Sequence, residues 1–179
     1  MKKILIALAF VVACGISAKA ADTKYHVGLG LMDSLPMSSD FKDLCKSSLG
    51  LNLSGDYMIT DQFAAGVEIG DVFGYEIKAN TSYKVKDMAY GVRGKYIKPM
   101  DFGSKKGNIY GILGIASYNW STDPKTTTDS EIGFSLGVGA EMEIAPQWLI
   151  GLEVRYHMVK DGSTTDDSLA PMISAGYTF

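Results

Sequence analysis

The chain is short of the residues that cross-linking and metal chemistry need. It has two cysteines. Cys14 lies in the N-terminal apolar stretch, so once that stretch is removed Cys45 stands alone and no internal disulfide is expected. Cys45 falls in a polar segment and reads as an incidental thiol. The two histidines, His26 and His157, are too few for a typical zinc site, and no metal or cofactor is expected. Beyond the N-terminus no run approaches the roughly 20 apolar residues that a helical membrane span requires. Positive charge is also scarce. Without Lys2, Lys3 and Lys19, 14 basic residues face 20 acidic ones, which argues against a nucleic-acid partner. A phosphate-binding loop is missing too. Gly28, Gly30, Gly133, Gly137 and Gly139 alternate along extended segments, with no strand-to-helix turn after them. The stretch from Asp161 to Asp167 lacks the closing Glu of a calcium loop and reads as solvated.

What the chain does have begins with an export signal. Met1, Lys2 and Lys3 form a positive start, Ile4 to about Ile16 an apolar stretch too short to be a retained span, and Ala18-Lys19-Ala20 a small-x-small cleavage site. Residues 1–20 are therefore expected to be a signal peptide and residues 21–179 a single barrel domain. Val11-Val12-Ala13-Cys14 offers a rival, lipoprotein-type cut at Cys14, although the apolar run before it is unusually short.

The rest of the chain alternates. From Glu131 to Ile144 every even position is apolar (Ile132, Phe134, Leu136, Val138, Ala140, Met142, Ile144), and every odd one is Gly, Ser or Glu. Side chains alternate across a strand, so one face is greasy and the other small and polar. A soluble sandwich strand would show water bulky polar groups. Gly, Ser and Glu suit a crowded barrel interior instead, and the apolar face runs to about twice an ordinary strand length. Eight such segments can be read. Their outward faces carry Tyr25, Val27, Leu29 and Leu31; Leu49, Leu51, Leu53, Tyr57 and Ile59; Phe63, Ala65, Val67 and Ile69; Met88, Tyr90, Val92 and Tyr96; then a fifth, ambiguous set. The sixth is the segment just described. The seventh shows Trp148, Ile150, Leu152, Val154, Tyr156 and Met158, and the eighth Pro171, Ile173, Ala175, Tyr177 and Phe179. In the fifth segment, Tyr110, Ile112, Ala116, Tyr118 and Trp120 outward would put aromatics at both ends, yet the opposite face holds Ile109, Leu113 and Ile115.

An even number of antiparallel strands is what a closed barrel needs, and closure is compulsory because hydrocarbon cannot hydrogen-bond a free strand edge. The predicted fold is all-β, an eight-stranded antiparallel up-and-down transmembrane β-barrel. Long Ser-, Thr-, Asp- and Lys-rich connections (33–48, about 78–87, 121–130, 160–168) alternate with short ones at 60–62 and 145–147. The stretch 98–108 falls on the short-turn side yet is long, and the sequence offers no reason for it.

On these residues the chain resembles the small outer-membrane barrels of Gram-negative bacteria, of the OmpA-membrane-domain and OmpX type. Gly137 to Tyr156 looks like that superfamily's penultimate hairpin, and Tyr57 to Glu68 like its first periplasmic turn. Tyr177 and Phe179 are similar to the C-terminal signal read by the barrel-assembly machinery. The resemblance implies an outer-membrane location, contact with outer-membrane lipids and lipopolysaccharide, and porin-like architecture. It is weak for activity, because one scaffold hosts unlike functions.

The inward faces collect Glu68, Arg93, Lys95, Glu141, Glu143, Glu153 and Arg155. An eight-strand interior is just wide enough to be filled by side chains, so these charges are expected to pair into a network that plugs the lumen. A gated pore, in which pairs swap partners to open a narrow water path, is the functional alternative. Tyr57, Tyr96, Tyr110, Trp120, Trp148 and Tyr156 are expected to anchor the barrel at the lipid interfaces. Barrel lipid A deacylases carry a His-x-Ser motif, but here His157 is followed by Met158 and Val159, so the nucleophile is absent. The expectation is a non-enzymatic envelope protein with a structural, surface-antigen or adhesion-like role and an unidentified extracellular ligand. The alternative is a narrow pore for ions or small solutes, and less favoured still is a lipid-modifying enzyme.

Overall fold

Long strands follow from the long alternating segments. A computed structural model describes residues 25–123, 128–161 and 164–179. The expected signal peptide, its cleavage site and Cys14 lie outside the described residues. The elements run β1 (Tyr25–Pro36), α1 (Ser39–Leu44), β2 (Ser48–Met58), β3 (Phe63–Ile77), β4 (Asn80–Phe102), β5 (Lys105–Asp123), β6 (Thr128–Ala145), β7 (Trp148–Asp161) and β8 (Thr164–Thr178). Every strand pairs antiparallel with its sequence neighbour. β8 returns to β1, with Val27 opposite Tyr177 and Leu31 opposite Ile173, so the sheet is a closed eight-stranded barrel.

Its outer wall is apolar. Leu113, Ile132 and Leu152 are each 65% exposed, a degree of exposure around the whole wall that water would penalise and lipid rewards. The exposed run from Trp148 to Met158 is about 33 Å of strand, or about 25 Å of height at a tilt of about 40°, the thickness of a lipid-facing band. At the end holding Tyr25 and Phe179, here the near end, aromatic pairs stand on the wall along β1–β2, β3–β4 and β7–β8. Ring centroids are 5.2 Å apart for Tyr25 and Tyr57, 5.2 Å for Phe63 and Tyr96, 5.1 Å for Trp148 and Tyr177, and 4.9 Å for Tyr177 and Phe179.

The turns have local causes. Between β2 and β3 the Thr60 hydroxyl accepts the N–H groups of Gln62 (3.3 Å) and Phe63 (3.0 Å), a side-chain-built turn. Residues 98–108, unexplained by the sequence, are a ribbon. β4 and β5 pair without interruption down to Phe102 opposite Lys105. Gly103, at φ +65°, supplies the left-handed backbone that a two-residue hairpin needs. β3 starts opposite Tyr96, so this ribbon projects past the level of the Phe63–Tyr96 pair. The long connection expected at 78–87 is likewise mostly strand, with a tight turn at Lys78 and Ala79.

The fifth strand settles the other way from its aromatic reading. Tyr110, Ile112, Ala116 and Tyr118 are buried inside the barrel, while Ile109, Leu113 and Ile115 face out. Trp120 also packs inward. The cause is on β6. Its small face leaves room that Tyr110, Ile112 and Tyr118 fill, since a Cβ at Gly139, Gly137 or Gly133 would collide with them. Tyr110 and Trp120 are therefore lumen residues. Tyr57, Tyr96 and Trp148 face outward, and so does Tyr156, whose hydroxyl donates to Asp167 Oδ2 at 2.7 Å.

Candidate functional site

The lumen is crossed by one connected set of charges. Arg93 on β4 forks onto Asp56 of β2, with Nε to Oδ1 at 2.8 Å and Nη2 to Oδ2 at 2.7 Å, and reaches Glu68 of β3 at 3.4 Å. Arg155 on β7 donates to the same Glu68 oxygen at 2.5 Å and holds Glu153 through Nε at 2.8 Å and through Nη2. Glu153 also accepts from the Tyr110 hydroxyl at 3.0 Å. The Lys95 ammonium stands 4.6 Å from the centre of the Tyr110 ring and 2.9 Å from Asp56 Oδ2. The path Asp56, Arg93, Glu68, Arg155, Glu153, Tyr110, Lys95 and back to Asp56 is thus a closed loop. His26 of β1 joins it at Asp56, 3.3 Å away.

Strand alternation puts each of these side chains inward, and barrel tilt brings distant strands to one level. The loop itself pairs three carboxylates with three cations, all buried. Such pairs gain from low dielectric only when geometry and residual hydrogen bonds are good; the forked Arg93 and the doubly engaged Glu68 meet that condition.

Of the residues read from the sequence as one charge network, the structure brings together Glu68, Arg93, Lys95, Glu153 and Arg155. Glu141 stands apart, accepting from Asn108 Nδ2 at 3.0 Å. Glu143 stands apart as well, at the near mouth beside Met100 and Lys106. Sequence reasoning left out Asp56, His26 and Tyr110. Asp56 and His26 sit at inward positions of their alternating segments, which was the available signal. Tyr110 had none, because both faces of its strand are apolar.

The charge loop divides the lumen in two. On the near side is a cavity of about 200 Å³, faced by His26, Asp56, Lys95, Asn108 and Glu141. On the far side a smaller one of about 40 Å³ is faced by Asn52, Glu68, Asp87, Arg155, His157 and Ser168. Arg93 and Tyr110 face neither and lie between them. His157 is inward, with Nδ1 2.7 Å from the Tyr118 hydroxyl.

A second closure covers the far mouth. Phe41, from α1 in the β1–β2 connection, is buried with its ring edge-on to Tyr75 (4.9 Å) and to Trp120 (5.7 Å). The connection is tied down on both sides. Lys78 N donates to Leu44 O at 2.8 Å, Lys46 N to Glu76 O at 3.0 Å, and Met37 N to Asp167 O at 2.8 Å. Cys45 is buried beneath it, in the cluster with Phe41, Val72 and Tyr75, rather than in a polar loop. Burial raises its thiol pKa, as does nearby Asp166, against a smaller lowering by Lys78.

The family described as outer membrane protein beta-barrel domain matches residues 6–179. Among solved structures, Neisserial surface protein A is similar with a TM-score of 0.61 at 17% identity, over 87% of this chain and 97% of that one. Ail, the attachment invasion locus protein of Yersinia pestis, gives 0.58 at 18% identity, over 89% and 100%. The N-terminal β-barrel domain of Pseudomonas aeruginosa OprF gives 0.56 at 8% identity, over 88% and 100%. At these identities the likeness is one of fold. No curated protein sequence matches the chain.

Proposed function

The chain belongs to the outer membrane protein β-barrel domain family, and from that membership we propose that it is a non-enzymatic surface barrel of the outer membrane, acting through its far-end loops as a structural, antigenic or adhesion-like component. The observation that carries this reading is the double closure of the lumen, by the charge loop through Arg93 and by Phe41 over the far mouth. With the lumen closed at two levels, the surface left for partners is the far rim. That Neisserial surface protein A and the attachment invasion locus protein are named for surface exposure and attachment supports the same direction. In this reading the near end faces the periplasm. Outer-membrane lipids and lipopolysaccharide cover the apolar wall, Tyr177 and Phe179 serve the assembly machinery, and an extracellular ligand meets the rim. His157 supports the absence of lipid-modifying chemistry, because it faces the lumen rather than the acyl chains and is engaged by Tyr118.

The test is to replace residues 37–47 by a short Gly-Ser turn. The barrel is expected to stay folded in detergent, by its resistance to urea, while attachment of cells displaying it to host surfaces falls to background. Unchanged attachment would remove the rim from the function.

A narrow pore is the second reading, and one observation favours it: the two cavities are separated at the level of Arg93, whose bonds to Asp56 and Glu68 are the ones that a water path joining them would have to break. Planar-bilayer recording separates the two. The surface reading expects a silent wild-type chain. The pore reading expects step conductances that Arg155→Ala alters.

A further inference from the structure

Among the described residues, the barrel buries four lumen carboxylates, Asp56, Glu68, Asp87 and Glu153, against three cationic side chains, Arg93, Lys95 and Arg155. The charge loop matches those three cations with Asp56, Glu68 and Glu153. Asp87 is the remainder. It is 6% exposed, it faces the far cavity, and its Oδ1 has no hydrogen-bond partner. A buried carboxylate left in this state is costly unless a counter-charge or a proton joins it. The one cationic side chain facing the same cavity, Arg155, is already engaged by Glu68 and Glu153, and His157 is occupied at Nδ1 by Tyr118. The cavity wall is therefore net negative, with the oxygens of Asn52, Asp87 and Ser168 set among apolar side chains such as Met32, Val72 and Met172.

We propose that the far cavity is a binding site for an alkali-metal cation, held by the Asp87 carboxylate together with the neutral oxygens of Asn52 and Ser168, which face the same space. One unmatched carboxylate balances one positive charge. Among the described residues no three His, Cys, Asp or Glu side chains converge closely enough to hold a metal ion, which excludes the charge-rich cage of a calcium or zinc site. The volume of about 40 Å³ admits an ion with a water or two and is too small for an organic cation of choline size. Arg155 lies in the cavity wall, and Phe41 packs over the far mouth in one cluster with the wall residues Met32, Val72 and Ala170. This site is independent of the surface role proposed above, and its failure would leave that role untouched.

A ligand that binds only the folded state raises stability by mass action. The purified chain in detergent micelles is to be unfolded by urea in potassium, sodium and choline chlorides at equal ionic strength, followed by tryptophan fluorescence. The expected result is a higher midpoint in potassium or sodium than in choline, saturating with cation concentration, and loss of that difference in Asp87→Asn. Should Asp87→Asn fail to fold, Asn52→Ala is expected to raise the half-saturating cation concentration several-fold. Equal midpoints in the three salts for the wild-type chain would overturn the proposal. So would a cation dependence that Asp87→Asn retains, or, if that variant does not fold, one that Asn52→Ala leaves unmoved. A wild-type midpoint that rises on acidification but ignores the salt would assign a proton to Asp87 instead, and also overturns it.

Discussion

Tyr110 stands directly opposite Gly139 in the β5–β6 ladder, and its ring fills the space that a side chain at 139 would occupy. The hydroxyl at the end of that ring reaches Glu153 at 3.0 Å, so a packing relationship on one strand pair positions a member of the charge loop on a third strand.

Gly139→Leu is therefore expected to displace Tyr110 and to weaken the charge loop with it. Overpacking of a filled interior costs about 1–3 kcal/mol, and the lost Tyr110–Glu153 bond adds about 1 kcal/mol. The urea midpoint in detergent should fall accordingly. Tyr110→Ala combined with Gly139→Leu should cost less than the two single changes added together, because the second substitution fills what the first empties.

Arg93 carries two carboxylates. Arg93→Ala leaves Asp56 with Lys95 and His26 alone, and Glu68 with Arg155 alone. Breaking a buried pair by deleting one partner costs about 3–5 kcal/mol. In Asp56→Asn the same Arg93→Ala change should cost clearly less, since the larger of its two carboxylate contacts is already neutralised. Equal losses in both backgrounds, measured by urea titration, would mean that Arg93 acts through bulk rather than charge.

Cys45 is a reporter of the far closure. Its raised pKa means that the folded state favours the neutral thiol. The unfolded chain therefore ionises first as pH climbs past the ordinary thiol range, and stability contributed by this group is present below that range and lost above it. Wild-type chain should lose more stability than Cys45→Ser on passing into that alkaline window. Maleimide labelling at neutral pH should be slow in the wild-type barrel and at least about tenfold faster in Phe41→Ala, which opens the roof locally. The urea midpoint of the barrel as a whole should move little.

Where one face was apolar and the other small or polar, strand orientation could be read directly: β6 from Ile132 to Ile144 and β7 from Trp148 to Met158 both lie as their alternation demands. β5 could not be read this way, because Tyr110, Ile112 and Tyr118 on one face and Ile109, Leu113 and Ile115 on the other are both apolar. The deciding information sat on another strand, in the glycines of β6. The ribbon at 98–108 was hidden for a related reason. Its pairing is local, but nothing in its composition says that β3 stops short of it. Asp56 was visible as an inward residue, yet its membership of the charge loop depends on Arg93, 37 positions away.

Alone, the sequence determined that the strands are amphipathic, which of their faces oppose lipid on most strands, and hence that the sheet must close, because period-two alternation and unsatisfied edge amides are local facts of the chain. Tertiary structure alone decided which charges meet. Glu68 and Arg155 are 87 residues apart, and only the tilt and stagger of a closed barrel bring them to the same height, with Asp87 left over above them.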